Sequence, residues 1–490
     1  MPPPAHRTHH QRTFALLATG IGAFALLQSL VVPALPVFQQ SMGTSQAAVT
    51  WMLTAYLLSA SVCTPIIGRL GDMKGKKRLF VITLIVLGVG TVLSAFATTL
   101  PIMIVGRVIQ GMGGGLLPLA FGIIRDEFPS EKVPNAIGSM AALTAVGIGF
   151  GIVLAGPIVD LLSYHWLFWF PMILIVTSTI GTALLVPESR VRAAGRINWT
   201  AAVLLSVWLV ALLLAISQAP TWGWLAPGTL GLLGCAVVVA ALWVAVEARS
   251  AHPLIDLRMM TIRAVWTTNL VALLFGMATY GTFGFLPAFL HTSPEAGYGF
   301  AAPVSESGLM LLPQAIMMLL LGMCAGRLAQ LIGSRTVLML GAAMAIAPFL
   351  MLVFFNDQKW QIYLATAFLG IAMGMAFAAM ANLIVQAVPP DQTGVASGMN
   401  ANIRTIGGAL GTALMATIVT AGVAPGGVPE AASYDRGWSF LCLATALSVA
   451  AGFLIPRFPA PPGGTEPDVE LRHAELAIVA GGTVVGDDPE

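Results

Sequence analysis

Apolar runs of roughly 18 to 25 residues follow one another along this chain, separated by short polar segments. Fourteen such runs can be marked, starting near residues 14, 50, 79, 101, 135, 165, 199, 227, 264, 303, 336, 360, 393 and 438. At about 1.5 Å per residue each is long enough to cross a hydrocarbon core about 30 Å thick. Inside lipid the backbone must satisfy its own polar groups, so the pattern predicts spanning helices and not strands. The fifth and thirteenth runs, rich in Gly and Thr, are the least apolar.

The loops between the runs repeat. GRLGDMKGKKR from Gly68 returns in weakened form as GRLAQLIGSRT from Gly326, each between two apolar runs. PSEKVPNAIGS from Pro129 matches PPDQTGVASGM from Pro389, with Glu131 over Asp391, Ala136 over Ala396 and Gly138 over Gly398. The near-constant offset implies tandem duplication of a helical bundle, an arrangement that places a transported substrate between the halves near the bilayer midplane. Six runs per repeat leave two over, Trp199 to Ser217 and Pro227 to Glu247. The predicted architecture is an all-α polytopic membrane protein with fourteen helices, six plus two plus six. Its segments are a leader at 1–13, a first bundle at 14–186, an extra pair with linkers at 187–262, a second bundle at 263–456 and a disordered cytoplasmic tail at 457–490.

Composition agrees with a lipid environment: 57% of residues are hydrophobic, 9% are charged, and the mean hydropathy is +0.87. Soluble domains carry about 25% charged residues. Of the 23 Lys and Arg, all but Arg107, Lys359, Arg404 and Arg436 fall on one side of the membrane if both termini are cytoplasmic. That asymmetry sets the expected orientation. The net charge of +2 implies no nucleic-acid partner. The first run is too long for a signal peptide and lacks a cleavage site, so it reads as an uncleaved first helix. Cys63, Cys235, Cys324 and Cys442 have no motif spacing and read as packing residues. The seven His are scattered, which argues against a metal site or a membrane-embedded enzyme. In GDMKGKK only three residues separate Gly71 from Gly75 and no Ser or Thr follows Lys76, so ATP drive has no support.

Five stretches carry a resemblance to a known family: TAYLLSASVCTPIIGRLGD from Thr54, GRVIQGMGGGLLP from Gly106, RDEFPSEK from Arg125, YHWLFWF from Tyr164 and VPPDQTGVASGMNANIRTIGGALG from Val388. Together they resemble the major facilitator superfamily, in its fourteen-helix branch of drug:proton antiporters, over residues 14 to 456. The resemblance implies an alternating-access carrier in the cell membrane that exports small hydrophobic or amphipathic compounds in exchange for protons. It implies a functional monomer, with a small-molecule substrate, protons and the lipid bilayer as its partners and no cofactor. By the same resemblance, Gly68, Asp72, Gly75, Lys76 and Lys77 form a cytoplasmic latch. Arg107 and Gln110, with Gly111, fit the family's R-x-x-Q-G pattern near proton transfer or substrate binding. Gly147, Gly151, Gly156 and Pro157 are similar to its antiport motif, although Ile152 stands where a proline is usual. In the first helix Leu27 stands where the family often has an aspartate.

Several readings come from the residues themselves. A guanidinium within a span costs roughly 2.5 to 3.5 kcal/mol at the helix centre, so Arg107 is expected either to face a cavity or a partner or to snorkel to the outer surface. No acid lies near mid-span, which leaves Glu306 and then Asp160, both at outer helix ends, as candidate proton carriers. Gln28, Ser29, Tyr56, Asn269, Tyr280, Gln314, Asn382, Asn400, Asn402 and Arg404 are candidate cavity-lining groups. Buried amides also knit helices together, so each has a packing alternative. A dedicated metabolite exporter, an uncoupled facilitator and a non-transporting receptor or structural protein are the other functions compatible with the pattern.

Overall fold

A computed structural model describes residues 4–44, 46–188, 198–250, 253–421 and 429–457; the expected tail, apart from Arg457, lies outside the described residues. The first bundle is built from α1 (Pro4–Ser29), α2 (Val31–Ser41), α3 (Gln46–Lys74), α4 (Lys76–Ala95), α5 (Leu100–Gly111), α6 (Leu116–Glu127), α7 (Val133–Leu161) and α8 (Trp166–Leu185). There follow α9 (Trp199–Trp222), α10 (Pro227–Arg249) and a short α11 (Leu257–Thr261). The second bundle comprises α12 (Arg263–His291), α13 (Val304–Ile332), α14 (Ser334–Met344), α15 (Ile346–Phe354), α16 (Lys359–Ala387), α17 (Thr393–Thr420) and α18 (Ala431–Gly452). The first helix starts at Pro4, earlier than the expected Phe14, so it includes much of the polar leader.

Three spans are interrupted where the sequence dictates. Pro33 has no N–H to give the carbonyl of Ser29, and α1 breaks from α2 there while Leu30 stays right-handed helical at φ −58° and ψ −32°. Pro348 does the same to Met344 between α14 and α15. Between α5 and α6 the MGGG segment Met112–Gly115 tightens into a 3₁₀ turn. A Cβ on Gly115 would lie 2.4 Å from Ile67 Cγ2, and one on Gly111 would lie 2.6 Å from the Tyr56 carbonyl oxygen. The glycines therefore let α3 pack against this turn at backbone distance.

Twelve helical segments among the described residues are long and apolar enough to cross a bilayer. The helices α7, of 29 residues, and α18, of 22, are further long elements of the bundles. Side chains such as Leu184 and Val237, 76% and 69% exposed, face outward from the helix surfaces. So much outward apolar surface suits lipid and would be unfavourable in water. The chain is a multi-pass membrane protein.

Each bundle has its own apolar core. Leu17, Phe38, Phe80 and Phe168 centre the first, and Phe275, Phe289, Phe349 and Trp438 the second. Two seams join the bundles: α7 against α13, and α3 against α17. Helix α9 packs on both α3 and α17, and Trp224 Nε1 donates to Thr417 Oγ1 at 2.8 Å, so the extra pair lies across the second seam.

Candidate functional site

Between the bundles lies a cavity of about 340 Å³, within the usual size of a small-molecule site. Its wall combines residues of α1, α3, α5 and α7 with residues of α12, α13, α16 and α17. Most are apolar or aromatic. On α3 the lining residues Tyr56, Ala60 and Thr64 recur every four positions, one stripe of a helix.

Arg107 borders this cavity and is fully buried, so it does not snorkel. Its Nη1 donates to the Leu27 carbonyl at 3.0 Å and to Gln110 Oε1 at 2.8 Å, and Nε donates to the Met52 carbonyl at 3.2 Å. The guanidinium carbon sits 4.2 Å from the centroid of the Tyr56 ring. Gln110 in turn donates through Nε2 to the Gly90 carbonyl at 3.3 Å and to Ser94 Oγ at 3.2 Å. This reach depends on small residues, because a Cβ on Gly106 would lie 2.3 Å from Ser94 Oγ and one on Gly90 would lie 2.8 Å from the backbone nitrogen of Gln110. One Arg–Gln pair thus ties together α1, α3, α4 and α5.

A second polar group closes one end of the bundles, called here the basic end because Arg69, Lys74, Arg78 and Arg125 gather there. Asp72 is buried and accepts from the backbone N–H groups of Gly394, at 3.4 Å, and Val395, at 3.2 Å, in the first turn of α17. A carboxylate is favourable at a helix N-terminus. Lys76 lies 3.9 Å from Asp72 and 2.6 Å from Asp126, with all three side chains almost fully buried. A Cβ on Gly68 would lie 2.6 Å from the Gly394 oxygen, so only glycine permits this approach of α3 to α17. Gly75 has φ +109°, and its own Cβ would meet the Glu188 carboxylate at 2.7 Å. That carboxylate accepts from the N–H groups of Lys77 and Arg78, each at 3.1 Å, at the start of α4. Arg125 adds a further bond across the seam, Nη1 to Thr393 Oγ1 at 2.6 Å. In the second copy of the loop, Gln330 donates through Nε2 to the Glu131 carbonyl, so a neutral amide stands where the first copy has an acid.

The family model described as the Major Facilitator Superfamily matches residues 17–412. This chain belongs to the major facilitator superfamily. It is 28% identical over 399 residues to the "Multidrug resistance protein B homolog" of Mycobacterium tuberculosis, covering 78% of this chain and 71% of that protein. It is likewise 28% identical over 377 residues to "Multidrug resistance protein 3" of Bacillus subtilis, covering 76% and 72%. Among solved structures, the human organic anion transporter MFSD10 (TETRAN) matches with a TM-score of 0.64 at 16% identity, covering 93% of this chain and all of that one, a likeness of fold. The protein is a transporter of this superfamily, which accounts for a cavity shared by two repeated bundles.

Of the residues expected to line the transporter's cavity, Gln28, Ser29, Tyr56, Tyr280, Asn400, Asn402 and Arg404 do so. Three do not. Asn269 accepts from Asn400 Nδ2 at 2.8 Å, Asn382 donates to the Pro134 carbonyl at 3.1 Å, and Gln314 contacts Met373 Sδ at 3.1 Å beside a smaller recess. Asn402 also donates to the Ser61 carbonyl at 2.6 Å, a cross-seam bond. Glu306 lies at the end away from Asp72, paired with Lys359 at 2.5 Å and outside the cavity wall. Asp160 belongs to the last turn of α7, and its side chain lies outside those described. Gly147 and Gly151 face α1, where a Cβ would lie 2.6 Å from Ala25 Cβ and 1.9 Å from Ser29 Oγ, while Gly156 meets nothing within 4 Å. Pro157 is exposed within α7. The expectation missed Phe377, over which Arg404 stacks at 4.7 Å; the sequence placed it inside the uniformly apolar stretch 367–381 of its helix, where nothing singles out one position.

Proposed function

We propose that this transporter is a secondary active exporter of small hydrophobic or amphipathic compounds, drugs and antibiotics among them, that works by alternating access and exchanges them for protons. The observation that carries the reading is one cavity lined by both bundles, which are joined at the basic end by the bonds that Asp72 accepts from α17. The multidrug resistance names of its relatives support the substrate class. Counting α7 and α18 with the twelve other spans makes fourteen, arranged six plus two plus six, with α9 and α10 as the extra pair. Both termini are then cytoplasmic, the basic end is the cytoplasmic face, and the state is open outward. The protein functions as a monomer in the cell membrane.

A second reading, an uncoupled carrier, is favoured by one observation. Arg107 takes the Leu27 carbonyl where an acid often stands in the family, and no described carboxylate lines the cavity. Everted vesicles containing the protein, given a pH gradient and a panel of fluorescent amphipathic dyes, separate the two. Uptake that collapses with the gradient and in Arg107→Ala supports proton exchange. Uptake indifferent to the gradient supports the uncoupled carrier, and no uptake above vesicles lacking the protein refutes the export reading.

A further inference from the structure

Resting on that export reading, we propose that the cavity selects amphipathic organic anions, compounds with one acidic head on an aromatic or apolar body. Two guanidiniums border it, Arg107 from the first bundle and Arg404 from the second, and no Asp, Glu or Lys does. Neither arginine belongs to an ion pair among the described residues. Structural bonds engage only Nε and Nη1 of Arg107; its Nη2 is buried with no acceptor. Arg404 has a ring contact with Phe377 and no described acceptor for its side chain.

A buried cationic donor without an acceptor is costly, and the group that relieves it best is an anionic oxygen. A cationic substrate would add a third positive charge to a site of low dielectric that has no counter-charge to offer. The rings of Tyr56, Tyr280, Phe283 and Phe377 supply apolar wall for the rest of the molecule. Charge also bears on the driving force. An anion leaving a cell with an inside-negative membrane follows the potential, which sustains roughly a fifty-fold gradient per charge at 100 mV. An exporter of anions therefore has work done on its cargo without a titrating carboxylate, and the selectivity holds with or without proton exchange.

The test uses the full chain in proteoliposomes with three tritiated probes of one shape: naphthalene-2-sulfonate, naphthalene-2-carboxamide and 2-naphthyltrimethylammonium. Transport is read by counterflow and binding by scintillation proximity, for wild type, Arg404→Gln and Arg404→Glu. Arg404 is chosen because Arg107 also holds four helices together. The expected result is sulfonate transport at least about tenfold above the ammonium probe, reduced about tenfold in Arg404→Gln, a larger loss than the carboxamide shows. Arg404→Glu should shift preference toward the ammonium probe. Ammonium transported as well as sulfonate overturns anion selectivity and leaves the export reading standing. A sulfonate preference untouched in Arg404→Gln overturns the two-guanidinium basis. Sulfonate bound but no probe transported supports the anion site and overturns export, while neither binding nor transport of any probe overturns both.

Discussion

Replacing Asp72 with Asn should loosen the basic end without unfolding the protein. Only interactions that differ between the closed and open arrangements shift that equilibrium. The contact with Lys76 lies within the first bundle and is common to both, so it drops out. What differs is the pair of bonds to the Gly394 and Val395 N–H groups, at 3.4 and 3.2 Å, long for charge-assisted bonds. Taking each at about 1 kcal/mol, near the low end for a charged acceptor at a helix N-terminus, the differential is about 2 kcal/mol. That corresponds to about a 30-fold change in the ratio of open to closed molecules. Spin labels at Lys74→Cys and Gln386→Cys, both exposed positions on opposite bundles, would report it once the four native cysteines are replaced. Double electron–electron resonance should show the ratio of the longer-distance to the shorter-distance population growing by that factor in Asp72→Asn. A distance distribution unchanged within about twofold would refute the argument that these two bonds hold the end shut.

Gly68→Ala should open the same end further, because its Cβ at 2.6 Å from the Gly394 oxygen meets backbone that cannot rotate away; the same label pair reads it. Lys76→Met removes the buried cation that lies between Asp126 and Asp72 and should cost about 3–5 kcal/mol, seen as a lowered melting temperature in detergent. The double variant Lys76→Met with Asp126→Asn should recover part of that loss. Glu306→Gln removes a pair whose side chains are 31% and 49% exposed, worth at most about 1 kcal/mol. Dye transport by Glu306→Gln should therefore stay within about twofold of wild type, and a complete loss would show that Glu306 takes part in coupling after all.

How much could be read in the sequence differed by scale. Helices and the repeat were legible because lipid forces long apolar runs and because duplicated loops keep their glycines, as at Gly68 and Gly326. Arg107 and Gln110 could be placed on one helix face from their spacing of three. Their partners could not: Leu27, Met52 and Gly90 contribute backbone atoms, which carry no residue-type signal. Lys76 and Asp126 lie 50 residues apart, so their contact depends on how α4 packs on α6, which no local pattern encodes. For the amides the spans alone could not separate lining from knitting, since Asn400 and Asn269 differ only in which way their helices turn. The expected leader at 1–13 was drawn from polarity, yet helical backbone continues through it from Pro4, because charged and polar side chains do not oppose a helix outside the apolar core.

The two bundles share a fold but not a charge. Near the place that Arg107 holds in the first repeat, the second has Thr366, whose hydroxyl donates to the Met310 carbonyl at 2.9 Å and so asks nothing of a cavity. A guanidinium at that depth costs roughly 2.5 to 3.5 kcal/mol to insert. Its three bonds to the Leu27 and Met52 carbonyls and to Gln110, at about 1.5 kcal/mol or more each for a charged donor, are enough to offset it. The carbonyls can serve because Leu27, having no carboxylate of its own, offers that nitrogen only its main-chain oxygen, beside Gln110 Oε1. Those bonds settle position without cancelling charge, since a carbonyl is a dipole. The first bundle therefore presents a fixed, uncompensated cation to the cavity, and whatever crosses between the bundles must move through its field.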